Sequence, residues 1–160
     1  SLVKKSYVFE TERILFSIED SPLGTAGALL KCLDLIETSD FLVLNCDDIT
    51  NVPLATLNNL VANIIFVANP RLPFGLVMES DGEVSFNEKP VLKDKFVSIG
   101  WYFLNKWDLT CKLPKTGSLE KDVFPSLTFK LFHHTGYWRP LNTMKDIQEF
   151  ALDDLPKELE

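Results

Sequence analysis

Lys89 stands in Glu88-Lys89-Pro90, after a segment that turns at Asp81-Gly82 and before the apolar run opened by Val97-Ser98-Ile99-Gly100. A lysine placed there can meet an anion, because its ammonium acts toward phosphate as a point charge. The plainer reading is a solvated loop lysine. Asp47 and Asp48 follow the apolar run Phe41-Leu42-Val43-Leu44, at the strand end where open α/β sheets put their ligand crevice. Two adjacent carboxylates at that point can hold Mg²⁺ through oxygen ligands, or a loop aspartate can cap the next helix. Leu23-Gly24-Thr25-Ala26-Gly27-Ala28 brings two glycines to a helix start. A phosphate or ring can approach the backbone there, or the helix can simply pack closely. No Gly-Lys-Ser/Thr follows, so this is not a P-loop. Glu120, in Gly117-Ser118-Leu119-Glu120, can accept hydrogen bonds from sugar hydroxyls or serve as an acid at a helix N-terminus. His133 and His134 are adjacent on a strand, point to opposite faces and cannot readily share one ion.

The elements that must position these residues follow from periodicity. Ile14 to Ile18 reads as a strand and Leu23 to Ile36 as a helix. Phe41 to Leu44 has the continuous apolar character of a buried parallel strand. Pro53 opens a helix ending near Val61, and Ile64 to Val67 is a strand. Asp81-Gly82 between Phe74–Glu79 and Glu83–Asn87 predicts a hairpin. Phe96 to Leu104 and Phe129 to His133 are further strands, with a short helix over Leu119 to Leu127 between them. Thr143 and Asp146 form a capping box that opens a helix through Ala151. Trp138 reads as core. The junction at Val61-Ala62-Asn63 leaves almost no turn between helix and strand, although such connections usually take about 2–6 residues; residues are therefore expected to be missing there. Strand–helix alternation followed by hairpins predicts a mixed α/β sheet.

Composition narrows the function classes. The chain has 160 residues, 46% of them hydrophobic, and a net charge of −7, which suits one globular domain with a core. Arginine occurs only at Arg13, Arg71 and Arg139, so no clustered basic surface for nucleic acid is expected. No apolar run is long enough for a bilayer, and no signal peptide is visible. Cys32, Cys46 and Cys111 lack zinc spacing and read as free thiols in a reducing compartment.

Several segments, in order along the chain, resemble the sugar-1-phosphate nucleotidyltransferase family. They are Pro22-Leu23-Gly24-Thr25-Ala26-Gly27-Ala28-Leu29, Phe41-Leu42-Val43-Leu44-Asn45-Cys46-Asp47, Phe74-Gly75-Leu76-Val77, Glu88-Lys89-Pro90 and Gly136-Tyr137-Trp138. His134 to Thr143 looks closest to the cytidylyltransferases acting on glucose 1-phosphate, while Leu23 to Gly27 looks more like thymidylyl- or guanylyltransferases. The resemblance implies a Rossmann-like mixed α/β sheet of the nucleotide-diphospho-sugar transferase type, with its N-terminal part missing. It would occupy residues 1–152 as a partial domain, followed by a charged tail over 153–160.

The implied enzyme is cytoplasmic. It transfers a nucleotidyl group from a nucleoside triphosphate to a sugar 1-phosphate, with Mg²⁺ and release of pyrophosphate. Asp47 would hold the metal, Lys89 the sugar phosphate, and Gly24 with Thr25 the nucleotide. Gly75, Glu88 and Glu120 would line the sugar pocket. A homo-oligomer is compatible with this reading; a membrane or nucleic-acid partner is not expected. The departures are specific. The family's N-terminal glycine-rich loop, with its arginine and following Pro-Lys, has no counterpart, and the chain is expected to begin after it. Cys46 replaces the usual glycine before the metal aspartate, and Ser98 the usual asparagine before Gly100. Pro140 and Asn142 stand where a second metal-binding aspartate is expected, and a neutral amide is the poorer ligand for Mg²⁺. These losses support an alternative: a non-catalytic subunit that binds nucleotide or sugar phosphate and regulates a partner.

Overall fold

The computed structural model describes residues 14–152; the charged tail expected over 153–160 lies outside the described residues. The chain divides into two compact units. The first takes the residues up to Phe41 together with Asn105–Thr128, the second Leu42–Leu104 with the residues from Phe129 onward.

The first unit is helical. α1 spans Gly24–Cys32 and tightens into a 3₁₀ turn at Leu33–Leu35, matching the expected helix. Its buried residues are Ala26, Gly27 and Leu29. α2, Lys106–Leu109, is capped by Asn105, whose side chain accepts from the N–H groups of Trp107 (2.9 Å) and Asp108 (3.3 Å). The expected helix over 119–127 is a π turn at Leu119–Val123 followed by a 3₁₀ turn at Phe124–Ser126. Pro125 has no N–H to continue an α-helical ladder. Residues 14–18 form no strand. Leu15 and Ile18 are 69% and 73% exposed, so β-prone residues alone did not create a strand without a pairing edge.

The second unit carries the sheets. β1 is Asp40–Leu44, β2 Asp48–Thr50 and β3 Ile64–Ala68. β4 is Leu76–Ser80, β5 Glu83–Asn87 and β6 Val97–Asn105. β7 is Lys130–His133, β8 Trp138–Pro140, and α3 runs Met144–Leu152. The main sheet has the order β1-β6-β3-β7. β3 is antiparallel to β6 and parallel to β7, which makes it the mixed α/β sheet expected from the sequence. β1 lies at the edge of this sheet and is only half-buried, not sunk on both faces as its apolar run suggested. β3 is buried along most of its length, and so is β6, from Ile99 to Leu104. Its Ile99, Trp101 and Phe103 join Val52, Ile64, Phe66 and Ala68 in one apolar cluster. The fully buried Phe66 ring meets Trp101 edge-on at 6.0 Å and Phe132 at 4.9 Å. Truncating such a ring typically costs about 3–5 kcal/mol.

Two smaller sheets are β2–β8 and the hairpin β4–β5. Asp81 and Gly82 both have positive φ, 53° and 80°, as a two-residue type I′ turn demands. The helix expected to run from Pro53 to Val61 is a 3₁₀ segment, Leu54–Asn59. The connection to β3 is therefore Leu60 to Asn63, within the usual length of such loops.

Candidate functional site

β1 delivers Asn45, Cys46 and Asp47 past its C-terminal end, and β2 begins at Asp48. The two neighbouring acids differ completely in their surroundings. Asp48 is half-buried: its Oδ1 accepts from Trp138 Nε1 at 2.8 Å, and its Oδ2 from Asn45 Nδ2 at 3.3 Å. Asp47 is exposed and uses only its backbone, whose carbonyl accepts from Leu141 N–H at 2.7 Å. Its carboxylate has no hydrogen-bond or ionic partner among the described residues. Pairing of β2 with β8 sets Asp48 opposite Pro140, so Asn142 lies two steps further along the same ribbon and is exposed. Of the two acids, Asp48 belongs to the framework and Asp47 keeps its carboxylate exposed.

That framework depends on a bulge. The β3–β6 register shifts between Ile65 and Val67, opposite Gly100, whose φ is 72°. The Gly100 carbonyl accepts from Asn45 N–H at 2.9 Å. A Cβ at position 100 would fall 2.2 Å from Asp48 Oδ2, so only glycine permits the contact. On the other side of the ribbon, the Tyr137 carbonyl accepts from Thr50 Oγ1 (2.9 Å), His134 Nε2 (3.0 Å) and Asn51 N–H (3.3 Å). The buried His134 is thus a strut for its loop, while His133 meets Phe96 edge-on at 4.5 Å. The two histidines are separated in role as the strand geometry predicts.

Lys89 and Glu88 follow β5 and are exposed. Position 75 comes close to Glu88: a Cβ there would lie 3.2 Å from Oε2. Lys89 has φ 45°. Its carbonyl accepts from Arg71 Nη1 at 3.2 Å, and its ammonium has no partner among the described residues. Residues 70–72 and 90–92 close around it, with Leu72 N–H on Pro90 O at 3.0 Å and Leu92 N–H on Pro70 O at 2.9 Å. Beside this clasp is a cavity of about 710 Å³, at the carboxyl ends of the parallel strands β3 and β7. Asn69, Arg71, Val91, His134, Tyr137 and Arg139 are among its walls. Arg139 is held by Glu149 at 3.6 Å and by the ring of Phe150.

Gly24, Thr25 and Glu120 belong to the first unit. The close approach at Gly24 is made by the chain itself, since a Cβ there would lie 2.3 Å from the Gly117 carbonyl. Thr25 Oγ1 accepts from Leu119 N–H at 2.8 Å and donates to Glu120 Oε2 at 3.5 Å. Glu120 Oε2 also accepts from Ser118 Oγ at 2.8 Å.

Sequence reasoning missed the parts played by Asp48, Asn45 and Arg71. No local signal marks them, because Trp138 lies 90 residues from Asp48 and Lys89 lies 18 from Arg71. Among the described residues no cluster of three or more His, Cys, Asp or Glu could by itself enclose a metal ion.

Comparison with known proteins bears on this arrangement. Residues 2–135 match the family described as nucleotidyl transferase. The mannose-1-phosphate guanyltransferase of Schizosaccharomyces pombe is 35% identical over 154 residues, covering 83% of this chain and 42% of its own length. The mannose-1-phosphate guanylyltransferase catalytic subunit beta of Dictyostelium discoideum is 32% identical over 150 residues, covering 84% and 42%. This chain thus spans about two-fifths of the curated relatives it matches. Among solved structures, HddC from Yersinia pseudotuberculosis complexed with GMP-PN has a TM-score of 0.66 at 24% identity, covering 92% of this chain and 69% of that one. At that identity the likeness bears on the fold.

Proposed function

This chain belongs to the nucleotidyl transferase family, and from that premise we propose that the protein it forms makes a nucleotide-sugar from a nucleoside triphosphate and a sugar 1-phosphate. The observation that carries the reading is the division between the two acids: Asp48 is tied to Trp138 and Asn45, while the carboxylate of Asp47 is exposed and without a partner among the described residues. In the proposed reaction a phosphate oxygen of the sugar 1-phosphate attacks the α-phosphorus. A new P–O–P linkage forms, the bond from the α-phosphorus to the β-phosphate oxygen breaks, and pyrophosphate leaves with its electron pair.

The residues have little covalent work in such a transfer; they position and neutralise. Lys89 sets a positive charge against the sugar phosphate. Glu88 accepts from sugar hydroxyls where Gly75 leaves the backbone open. Gly24, Thr25 and Glu120, whose close contacts and hydrogen bonds are made within the first unit, keep the structural part those contacts give them. Asp47 would give a Mg²⁺ ion one carboxylate, with substrate oxygens completing its shell and Asn142, on the segment after β8, as the candidate second ligand, since magnesium is commonly held by one or two carboxylates plus phosphates. When bound, that ion would withdraw charge from the phosphoryl oxygens.

The names of the guanylyltransferase relatives make mannose 1-phosphate with GTP the first pair to test. The three free cysteines support a cytoplasmic setting. The full-length protein should release pyrophosphate from a panel of triphosphates and sugar 1-phosphates in the presence of Mg²⁺. No pyrophosphate with any pair would sink the catalytic reading. Binding without turnover would instead favour the regulatory subunit that the amide at Asn142, in place of a second carboxylate, suggests.

A further inference from the structure

Two residues other than glycine have left-handed backbones among the described residues: Asp81, with φ 53°, and Lys89, with φ 45°. Asp81 is explained by its type I′ turn and its short polar side chain. Lys89 has neither excuse. It is long, it lies outside the two-residue hairpin turn, and it precedes Pro90, a position drawn toward extended backbone. Such a conformation persists only where the surroundings over-determine it.

Those surroundings are specific. The segments Pro70-Arg71-Leu72 and Pro90-Val91-Leu92 form an antiparallel bridge, Arg71 opposite Val91, closed by the Leu72–Pro90 and Leu92–Pro70 hydrogen bonds. Asn69 Nδ2 reinforces the far side by donating to the carbonyls of Leu92 (3.1 Å), Lys93 (3.2 Å) and Lys95 (2.8 Å). The bridge fixes the chain on the Pro90 side of Lys89. Among the described residues, the one side-chain donor on the turned residue itself is the Arg71 guanidinium, on the Lys89 carbonyl at 3.2 Å.

We infer that Arg71 is a positioning residue for Lys89: by holding the Lys89 carbonyl it keeps the backbone left-handed and so aims the ammonium at the phosphate of the sugar substrate. This rests on the proposed function for its ligand, but not for its geometry. Arg71 also stands in the cavity wall, so the rival account is that it touches the phosphate itself. The two accounts differ in a double-mutant cycle, because residues acting through one another fail to add.

The test uses the full-length protein and two probes, α-mannose 1-phosphate and α-glucose 1-phosphate, with binding read by calorimetry. Arg71→Ala should weaken binding about tenfold, the scale of one charge-assisted hydrogen bond. Lys89→Ala should do at least as much, and the double variant should be no worse than Lys89→Ala alone. Arg71→Gln, which keeps a donor for the carbonyl but no charge, should recover part of the loss. Independently of any ligand, Arg71→Ala should move the Lys89 Cα and Cβ chemical shifts from left-handed toward extended values. Unmoved shifts would overturn the inference. So would Arg71→Ala weakening binding as much in the Lys89→Ala background as in the wild type. If the wild type binds neither probe, the substrate reading fails for both sugars, and the carbon shifts alone decide whether Arg71 sets the Lys89 backbone.

Discussion

Around Thr25 the polar side chains that look functional in the sequence are hydrogen-bonded to one another and to nearby backbone: Thr25 to Leu119 and Glu120, and Glu120 to Ser118. Around Asp47 and Lys89 the reverse holds. There the backbones are pinned, by Leu141 and Arg71, and the charged ends are left without partners among the described residues. The first arrangement spends its side chains on holding a helix start; the second spends backbone and neighbours on presenting side chains. Residue type does not separate the two. What separates them is whether the fold has already satisfied the group.

The contrast can be broken most directly by pairing two substitutions. Asp47→Ala should cut turnover by about 10²-fold or more, the scale of losing a preorganised charge at a phosphoryl centre, and leave the melting temperature unchanged. Thr25→Ala should leave turnover within a few-fold and destabilise by about 1 kcal/mol, through the N–H group of Leu119 that it abandons. Equal losses of turnover in steady-state assays would erase the distinction.

A smaller effect is expected at the framework acid. Trp138→Phe removes the indole donor from half-buried Asp48 and should cost about 1–3 kcal/mol in denaturant titrations. An unchanged midpoint would return Asp48 to the pool of free acids.

The smallest effect sharpens the comparison with a third carboxylate, satisfied and only partly exposed. Asp146 caps α3, accepting from Thr143 Oγ1 and Thr143 N–H, each at 2.7 Å. The hydroxyl bond, then the backbone bond, and then the charges of Arg139 and Lys145 hold its pKa below the usual 3.8. A lowered folded pKa means that the cap contributes fully above the unfolded value and is lost as pH falls through the folded one. Cα shifts of residues 144–147 should therefore stay helical as pH passes the ordinary carboxylate range and fray only below it. Fraying already at ordinary carboxylate pH would remove the cap.

Much of the fold was legible because its signals are local. Asp81-Gly82 dictates its turn whatever surrounds it, and Thr143 with Asp146, three positions apart, needs only that spacing to cap α3. The strands of the main sheet were found because each is a run of at least four residues. The failures are non-local. β2 and β8 have three residues each and exist only by pairing with one another. The apolar residues at 14–18 read as a strand, yet pairing is what makes one. Asp47 and Asp48 cannot be told apart without knowing where Trp138 arrives, and the glycine at 24 reads alike whether a ligand or Gly117 comes close. Within the candidate site the sequence names candidates, but which of their groups the fold ties up is set by residues far along the chain, as Trp138 does for Asp48.

The bulge at Gly100 has a consequence for how the site can change. Asn45, Asp48, Gly100 and Trp138 interlock so closely that altering one demands an answering change in another, as the 2.2 Å approach at position 100 shows. Cys46, Asp47 and Asn142 are exposed on the same ribbon and carry no such obligation. Tolerance and constraint are therefore interleaved residue by residue. The exposed groups at 46, 47 and 142 can be exchanged, an acid at 142 included, while the strand pairing beside them stays as it is.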